Sequence, residues 1–159
     1  MKDYDLFVLA RSLHVLAVVI WIGGVAFITT VLLPALKKLA TAQQRIELFE
    51  QLEHKFSWQA KVTTLITGIS GFYMLYFLDA WHRYQELQFW WLHLMTCIWA
   101  IFTLVLFVLE PLFLHRWFLQ QAQKDADKTF AKIQRMHIIL LTLSLITVFG
   151  AVAGSHGYF

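Results

Sequence analysis

The chain has 159 residues, of which 59 % are hydrophobic and only 14 % are charged, and its formal net charge is +3. Soluble proteins have about 25 % charged residues, so this composition excludes an ordinary soluble domain. The single cysteine, Cys97, excludes an internal disulfide and a zinc site built from cysteines.

Four apolar stretches are each long enough to cross a bilayer, which takes about 20 residues of helix. In chain order they are residues 13–36, 62–81, 89–114 and 136–155. None alternates as a strand would, and lipid requires the backbone polar groups to be satisfied within a helix. The first stretch is too long for a cleaved leader, so we expect it to remain as a span. The sequence therefore predicts an all-α integral membrane four-helix bundle, with residues 1–159 forming a single transmembrane domain.

The connection between the first and second spans has helical periodicity. Its apolar residues share one helical face: Ile46, Phe49, Leu52 and Phe56. The pattern predicts a cytoplasmic helical extension that runs directly into the second span.

Lysine and arginine residues divide unequally between the two sides of the predicted bundle. The connections after spans 1 and 3 carry ten of them, whereas the other side carries Lys2, Arg11 and Arg83. Basic residues beside apolar segments indicate membrane topology rather than nucleic-acid binding, and the richer side is cytoplasmic. We therefore expect a multi-pass protein of the bacterial inner membrane with both termini on the outer, periplasmic side.

Ionisable residues inside a membrane are rare and are functional candidates. His14 and His93 lie at matching height near the outer ends of spans 1 and 3, so their imidazoles could bind one haem iron. His54 and His137 lie near the inner side and could hold a second haem. Arg11 precedes His14 by one turn and could pair with a haem propionate. The alternative role of these histidines is hydrogen bonding between helices. The alternative for Arg11 is an interfacial position in which its side chain extends to the membrane surface.

Other polar and small residues have simpler expected roles. His82, His115 and His156 are expected to be interfacial, as are four tryptophans: Trp81, Trp90, Trp91 and Trp117. Glu110 is expected to pair with Arg135 or His137, or to transfer a proton. Glycines on three spans either leave room for a porphyrin or permit close helix packing: Gly23, Gly24, Gly68, Gly71, Gly150 and Gly154.

Two sequence motifs resemble known families. "LHVLAVVIWIGGVAFITTVLLPAL" looks like the opening helix of CopD-like membrane proteins, and with "WLHLM" it is similar to HemJ-type protoporphyrinogen oxidases. Those oxidases are small four- or five-helix membrane proteins that bind b-type haem. The resemblance implies haem b, with His14 and His93 matching family histidines. The family lysine associated with activity is Met95 here. Methionine cannot exchange a proton, so protoporphyrinogen oxidase activity is not expected.

The leading hypothesis is an inner-membrane protein that binds one or two b-type haems and carries out electron transfer or a haem-dependent redox reaction. Its partners would be the lipid bilayer and a quinol or redox protein, and the chain could form a homo-oligomer. The first alternative is CopD-like copper transport or handling, for which His93, Met95 and Cys97 are suitable ligand types. These three residues cannot all face one point on a single helix. The second alternative is a cofactor-free accessory membrane subunit.

Overall fold

The computed structural model describes residues 2–38 and 41–158, and these residues form an all-α protein. About 93 % of the chain is helical, and the described residues contain no strand. The all-α prediction is therefore confirmed.

Four long helices account for most of the chain. Helix α1 covers residues 2–36 and consists of Lys2–Phe27, the π-helical segment Ile28–Leu32, and Leu33–Leu36. Helix α2 is Ala42–Phe77, and two short 3₁₀ helices follow it, Trp81–Gln85 and Leu87–Phe89. Helix α3 covers residues 90–124 and consists of Trp90–Leu104, the π-helical segment Val105–Leu114, and His115–Lys124. Helix α4 is Ala126–Ser155.

Each π-helical segment lies at a proline. Pro34 follows the segment in α1, and Pro111 lies within the segment in α3. Proline has no backbone N–H and its ring clashes with the preceding turn, so an α-helical hydrogen bond is lost there. The wider turn continues both helices, with Leu33 N–H donating to the carbonyl of Ile28 and His115 N–H to that of Glu110.

Side-chain caps begin the two helices that follow the shorter connections. Thr41 accepts a hydrogen bond from the backbone N–H of Gln44 at 3.2 Å, and Asp125 accepts one from that of Lys128 at 3.0 Å. The bond from Lys128 lowers the pKa of the Asp125 carboxyl. Asp125 alone separates α3 from α4, so its cap sets the sharp reversal between them.

The helices pack so that both chain termini lie at one end of the bundle, here called the terminal end. Phe7 near the start of α1 stacks on Phe77 at the end of α2, with ring centroids 4.8 Å apart. At the opposite end, Arg45 of α2 pairs with Asp127 of α4 at 2.5 Å. Successive long helices therefore run in alternating directions.

Two apolar clusters fill the bundle from its opposite end to its middle. The opposite-end cluster consists of Ile28, Leu32, Leu33, Leu36, Ile46, Phe49, Phe118, Ala122, Ala126 and Phe130. The central cluster consists of Trp21, Ile22, Val25, Ala60, Ile98, Phe102, Leu106 and Leu141. The predicted helical extension is present as the first half of α2, and it buries Ile46 and Phe49 but leaves Leu52 exposed.

Three helices are long and apolar enough to cross a membrane: Asp3–Leu36, Leu87–Lys124 and Ala126–Ser155. The sequence predicts a fourth span at residues 62–81, but α2 is not among the three. Its second half buries hydroxyl side chains, which lower its hydropathy: Thr63, Thr64, Thr67 and Ser70. Several of these hydroxyls donate to carbonyls one turn back, such as Thr67 to Thr63 at 2.8 Å, which removes much of the cost of placing them among apolar helices.

Candidate functional site

A cavity of about 560 Å³ occupies the terminal half of the bundle. Residues of all four helices and of the connection between α2 and α3 line it. Trp21, Ile22 and Ile98 belong both to its wall and to the central cluster, so they form its floor. Ligand pockets in proteins have volumes of about 300–1,000 Å³ and are mostly apolar, and this cavity has both properties.

His14 lies in the wall of this cavity with its ring held by α2. Its Nδ1 is 3.0 Å from the carbonyl oxygen of Thr67 and 3.1 Å from Oγ of Ser70. A carbonyl oxygen can only accept, so Nδ1 carries the hydrogen and Nε2 keeps its lone pair. Gly71 admits the ring, because a Cβ there would lie 3.1 Å from Cε1 of His14. Metal-binding histidines are oriented in this manner, through a hydrogen bond from the other ring nitrogen.

Arg11 and Arg83 also line the cavity, and no carboxylate of the described residues does. Arg11 lies one turn before His14 on α1. Arg83 belongs to the 3₁₀ helix Trp81–Gln85, and its guanidinium carbon lies 5.1 Å from the ring centroid of Phe89. The cavity is therefore apolar with two cations at the terminal end of the bundle.

Two buried donors at the cavity lack acceptors in the part of the chain that the structure describes. They are Nε1 of Trp21 and Nε of Arg83. Trp21 is only 3 % exposed, so water does not readily replace the missing partner. Buried donors without acceptors are costly, and the described residues do not supply the partners that these two need.

The structure does not place His93 in this cavity. Its Nε2 is 3.0 Å from the carbonyl oxygen of Tyr84, and its Nδ1 is 3.0 Å from that of Phe89. The ring also meets the ring of Tyr84 edge to face at 5.6 Å. His93 therefore ties the connection between α2 and α3 to the start of α3, and it could bind iron only by turning away from both carbonyls.

The two inner histidines are not brought together around a cavity. His54 is exposed on α2, and His137 is half-buried on α4 with Nδ1 2.9 Å from the carbonyl oxygen of Ile133 in its own helix. Neither lines the large cavity or a smaller one of about 260 Å³ beside Phe56. The pairing of His54 with His137 stays a prediction.

The remaining histidines occupy exposed positions. His82 is exposed with Nδ1 3.0 Å from the carbonyl oxygen of Asp79, and His156 is exposed near the end of α4. His115 is exposed with Nε2 3.7 Å from a carboxylate oxygen of Glu50. Among the described residues, no group of three or more His, Cys, Asp or Glu side chains could hold a metal ion.

A second polar group lies between α2 and α3, towards the opposite end of the bundle. Lys61 Nζ is 2.7 Å from Oε2 of Glu110, and Ser57 Oγ donates to the same oxygen at 2.8 Å. Glu110 therefore pairs with Lys61, and the expected pairing with Arg135 or His137 is wrong. Sequence alone could have suggested Lys61, since it and Glu110 lie near the same predicted depth on neighbouring spans.

Glu53 lies near this ion pair, one turn before Ser57. Burial raises the pKa of its carboxyl, and repulsion from Glu110 raises it further. The charges of His115, Lys61 and His54 act in the opposite direction but are smaller effects. The group therefore contains two carboxyl groups with different surroundings. The carboxylate of Glu110 pairs with Lys61, and the carboxyl of Glu53 has a raised pKa.

Most of the glycines on the predicted spans allow aromatic side chains of neighbouring helices to approach closely. A Cβ at Gly68 would lie 2.6 Å from the indole of Trp99, and Trp99 donates to the carbonyl of Thr64 at 3.0 Å. Other glycines also receive aromatic rings: Gly24 receives Phe56, Gly150 receives Trp90, and Gly154 receives Trp91. Trp90 and Trp91 thus pack against α4, although the sequence suggested that they lie only at the membrane interface.

Comparisons with protein-family models, curated proteins and solved structures found no match. The resemblance to CopD-like and HemJ-type proteins therefore stays a prediction, and the cavity must be interpreted from its own chemistry.

Sequence reasoning found His14 and Arg11 but missed three other residues of the site. Thr67 and Ser70, which contact the ring of His14, look in the sequence like ordinary small residues of an apolar helix. Arg83 counted only as a charge for topology. Its place between two aromatic-rich segments, near Tyr84 and Phe89, was the available signal, because arginine often stacks on such rings.

Proposed function

We propose that this chain is a four-helix membrane protein that holds b-type haem in the terminal cavity and carries out electron transfer or a haem-dependent redox reaction. The observation that supports it best is the position of His14, which lines a mostly apolar cavity of suitable size with Nδ1–H on a backbone carbonyl. That arrangement leaves Nε2 as the free ligand atom, and histidine is a common axial ligand of haem iron.

The residues present fit such a group in three ways. His14 would supply a nitrogen ligand to the iron, apolar wall residues such as Val18 and Leu92 would contact the porphyrin, and Arg11 would pair with a propionate. When bound, haem supplies one-electron redox chemistry. The chain's own contribution is to orient the His14 ring through Thr67 and Ser70 and to exclude water with an apolar wall.

The membrane placement also belongs to this proposal. Three helices could cross a bilayer by length and composition, and α2 would cross as the fourth with its hydroxyls facing the bundle. The ten-to-three distribution of basic residues supports an inner-membrane position with both termini periplasmic. The cavity would then lie in the outer half of the membrane, where a quinol or a redox protein could exchange electrons with it.

The experiment is an optical spectrum of the detergent-purified protein, oxidised and then reduced, with the haem-to-protein ratio measured. We expect a red protein with the reduced bands of b-type haem, and His14→Ala should lose most of it. His82→Ala is the matched control, because His82 is an exposed histidine outside the cavity. A colourless protein from haem-replete cells, or a spectrum indifferent to His14→Ala, would overturn the proposal.

The same spectra test the other predicted ligands. If His93 binds iron, His93→Ala should lower the coordination number of the iron. If His93 only holds the backbone of Tyr84, the same substitution should leave the coordination number unchanged. Two haems per chain would require the inner pair, His54 and His137. Stoichiometric copper in a colourless preparation would favour the copper hypothesis, although the described residues contain no cluster of three or more His, Cys, Asp or Glu side chains that could hold a metal ion.

A further inference from the structure

The cavity has a charged end that its apolar walls do not explain. Arg11 and Arg83 line it, while no carboxylate among the described lining residues is available to neutralise them. Neither arginine belongs to an ion pair in the described part of the chain. Cations in an apolar cavity are stabilised by anionic partners, so this end is complementary to an anionic group on a ligand.

Arg83 is held in place before any ligand binds. The hydroxyl of Tyr84, the next residue, lies 2.7 Å from Oγ1 of Thr96, and the carbonyl oxygen of Tyr84 lies 3.0 Å from Nε2 of His93. The guanidinium of Arg83 lies over the ring of Phe89. These contacts fix the connection against α3, and a fixed side chain loses little conformational freedom when it binds.

Arg83 also has unused hydrogen-bonding capacity. Its Nε is buried and has no partner in the part of the chain that the structure describes. An arginine presents its donors as a planar fork that matches the two oxygens of a carboxylate. A carboxylate would satisfy the charge of Arg83 and the donors of its guanidinium group.

We propose that Arg83, together with Arg11, binds the anionic end of the cavity's ligand, and that for haem each arginine takes one of the two propionates. This inference rests on the proposed haem function and adds the residue that selects for an acidic porphyrin. His93 acts here as a positioning residue, since it holds the backbone of the residue next to Arg83.

The test compares two probes on the full-length apoprotein in detergent: haem, and haem dimethyl ester, in which both propionates are esterified. The variants are wild type, Arg83→Gln and Arg116→Gln, the last being an exposed arginine outside the cavity. We expect Arg83→Gln to weaken haem binding about tenfold or more, the usual effect of losing a charge-assisted hydrogen bond. The ester should bind wild type and Arg83→Gln equally, and Arg116→Gln should match wild type with both probes.

The other outcomes distinguish failure of the proposed haem function from failure of the inference about Arg83. Wild type that binds neither probe overturns the haem function itself. Wild type that binds haem with an affinity unaffected by Arg83→Gln overturns only the inference about Arg83. Equal weakening of haem and ester also overturns it, because the effect would then be structural.

Two further measurements complete the experiment. If Arg83→Gln does not fold, Arg83→Lys keeps the charge without the fork and should show a smaller loss that is again specific for haem. Phospholipid that copurifies with wild type is measured by phosphate content and by mass. A stoichiometric anionic lipid that Arg83→Gln lacks, with haem binding unchanged, would assign the two arginines to a lipid headgroup and overturn the propionate contact.

Discussion

Lys61 offsets the negative charge of two neighbouring carboxyl groups, those of Glu53 and Glu110, inside the folded bundle. It pairs with Glu110 at 2.7 Å, and Glu53 lies close enough to Glu110 to be repelled by it. We expect Lys61→Met to lower the free energy of unfolding by about 1–3 kcal/mol, because Glu110 loses its charged partner. That corresponds to a fall of several degrees in the melting temperature, measured by circular dichroism in detergent.

Two variants control this measurement. The double variant Lys61→Met with Glu110→Leu should recover much of the loss, because it removes the charge of Glu110 that the single variant leaves unpaired. Lys128→Ala removes the cation of an exposed pair and should change stability by less than about 1 kcal/mol. A Lys61→Met protein as stable as the Lys128→Ala protein would contradict the assignment.

Glu53 makes stability depend on pH. Burial, and secondarily Glu110, raise its pKa in the folded protein above the ordinary glutamate value of 4.5. The folded state therefore binds more protons than the unfolded state once pH exceeds that value, so this group's contribution to stability falls as pH rises through the raised pKa. We expect Glu53→Gln to be more stable than wild type at neutral pH, with the advantage disappearing below the ordinary glutamate pKa.

Melting temperatures across this pH range would check the prediction. Glu47→Gln, which changes an exposed glutamate on the same helix, should follow wild type. Parallel curves for Glu53→Gln and wild type would show that the carboxyl titrates alike in both states.

Individual site residues were only partly predictable from the sequence. His14 and Arg11 stand out because charged or ionisable groups are rare in apolar helices. Their partners do not stand out, since the rotation of α2 that brings Thr67 and Ser70 to His14 is set by packing. Hydropathy does not specify that rotation. His93 shows the same limit, because matching depth did not reveal that backbone carbonyls occupy both ring nitrogens.

At the scale of helices, glycine and tryptophan determine how closely neighbours approach. Gly68 of α2 faces the indole of Trp99 on α3, where an added Cβ would lie 2.6 Å from Cζ2. We expect Gly68→Ala to push the two helices apart and to destabilise the protein by about 1–3 kcal/mol. It should also change the cavity, since both residues line it.

Gly23→Ala is the matched control for this prediction. No atom lies within 4 Å of a Cβ placed at Gly23, so the substitution should be neutral or stabilise α1 by up to about 1 kcal/mol. Melting temperatures in detergent compare the two variants directly. Equal behaviour of Gly68→Ala and Gly23→Ala would show that contact with Trp99 does not limit the spacing of the helices.

Helix positions were largely predictable, because long apolar runs and the periodicity before residue 62 carry a strong signal. The buried face of α2 was less predictable. The buried hydroxyls of Thr63, Thr67 and Ser70 donate to carbonyls of their own helix, so a segment with modest hydropathy still packs inside the bundle. The π-helical segments at Pro34 and Pro111 were not predicted either. A proline normally suggests a kink or an end, and here the helix continues with a wider turn.

For the whole molecule, the testable claim is its orientation. Cys97 is the only cysteine, so Cys97→Ser provides a background for single-cysteine labelling with a membrane-impermeant maleimide. Asp3→Cys and Tyr158→Cys should react in intact spheroplasts. Gln51→Cys and Gln123→Cys should react only after permeabilisation, because the basic connections are expected in the cytoplasm.

The two pairs of positions serve as each other's controls. Termini that react only after permeabilisation would reverse the orientation, and termini on opposite sides would show that one of the four helices does not cross. A reversed orientation would contradict the proposed position of the cavity in the outer half of the membrane.

The unequal filling of the bundle has a consequence for how the protein matures. The opposite-end and central clusters hold all four helices together, and the central cluster also supplies the floor of the cavity. The helices can therefore acquire their arrangement before the proposed haem binds. We expect cells starved of iron to accumulate a membrane-inserted, protease-resistant protein without the proposed haem. This protein should acquire colour when haem is supplied, even if protein synthesis is blocked.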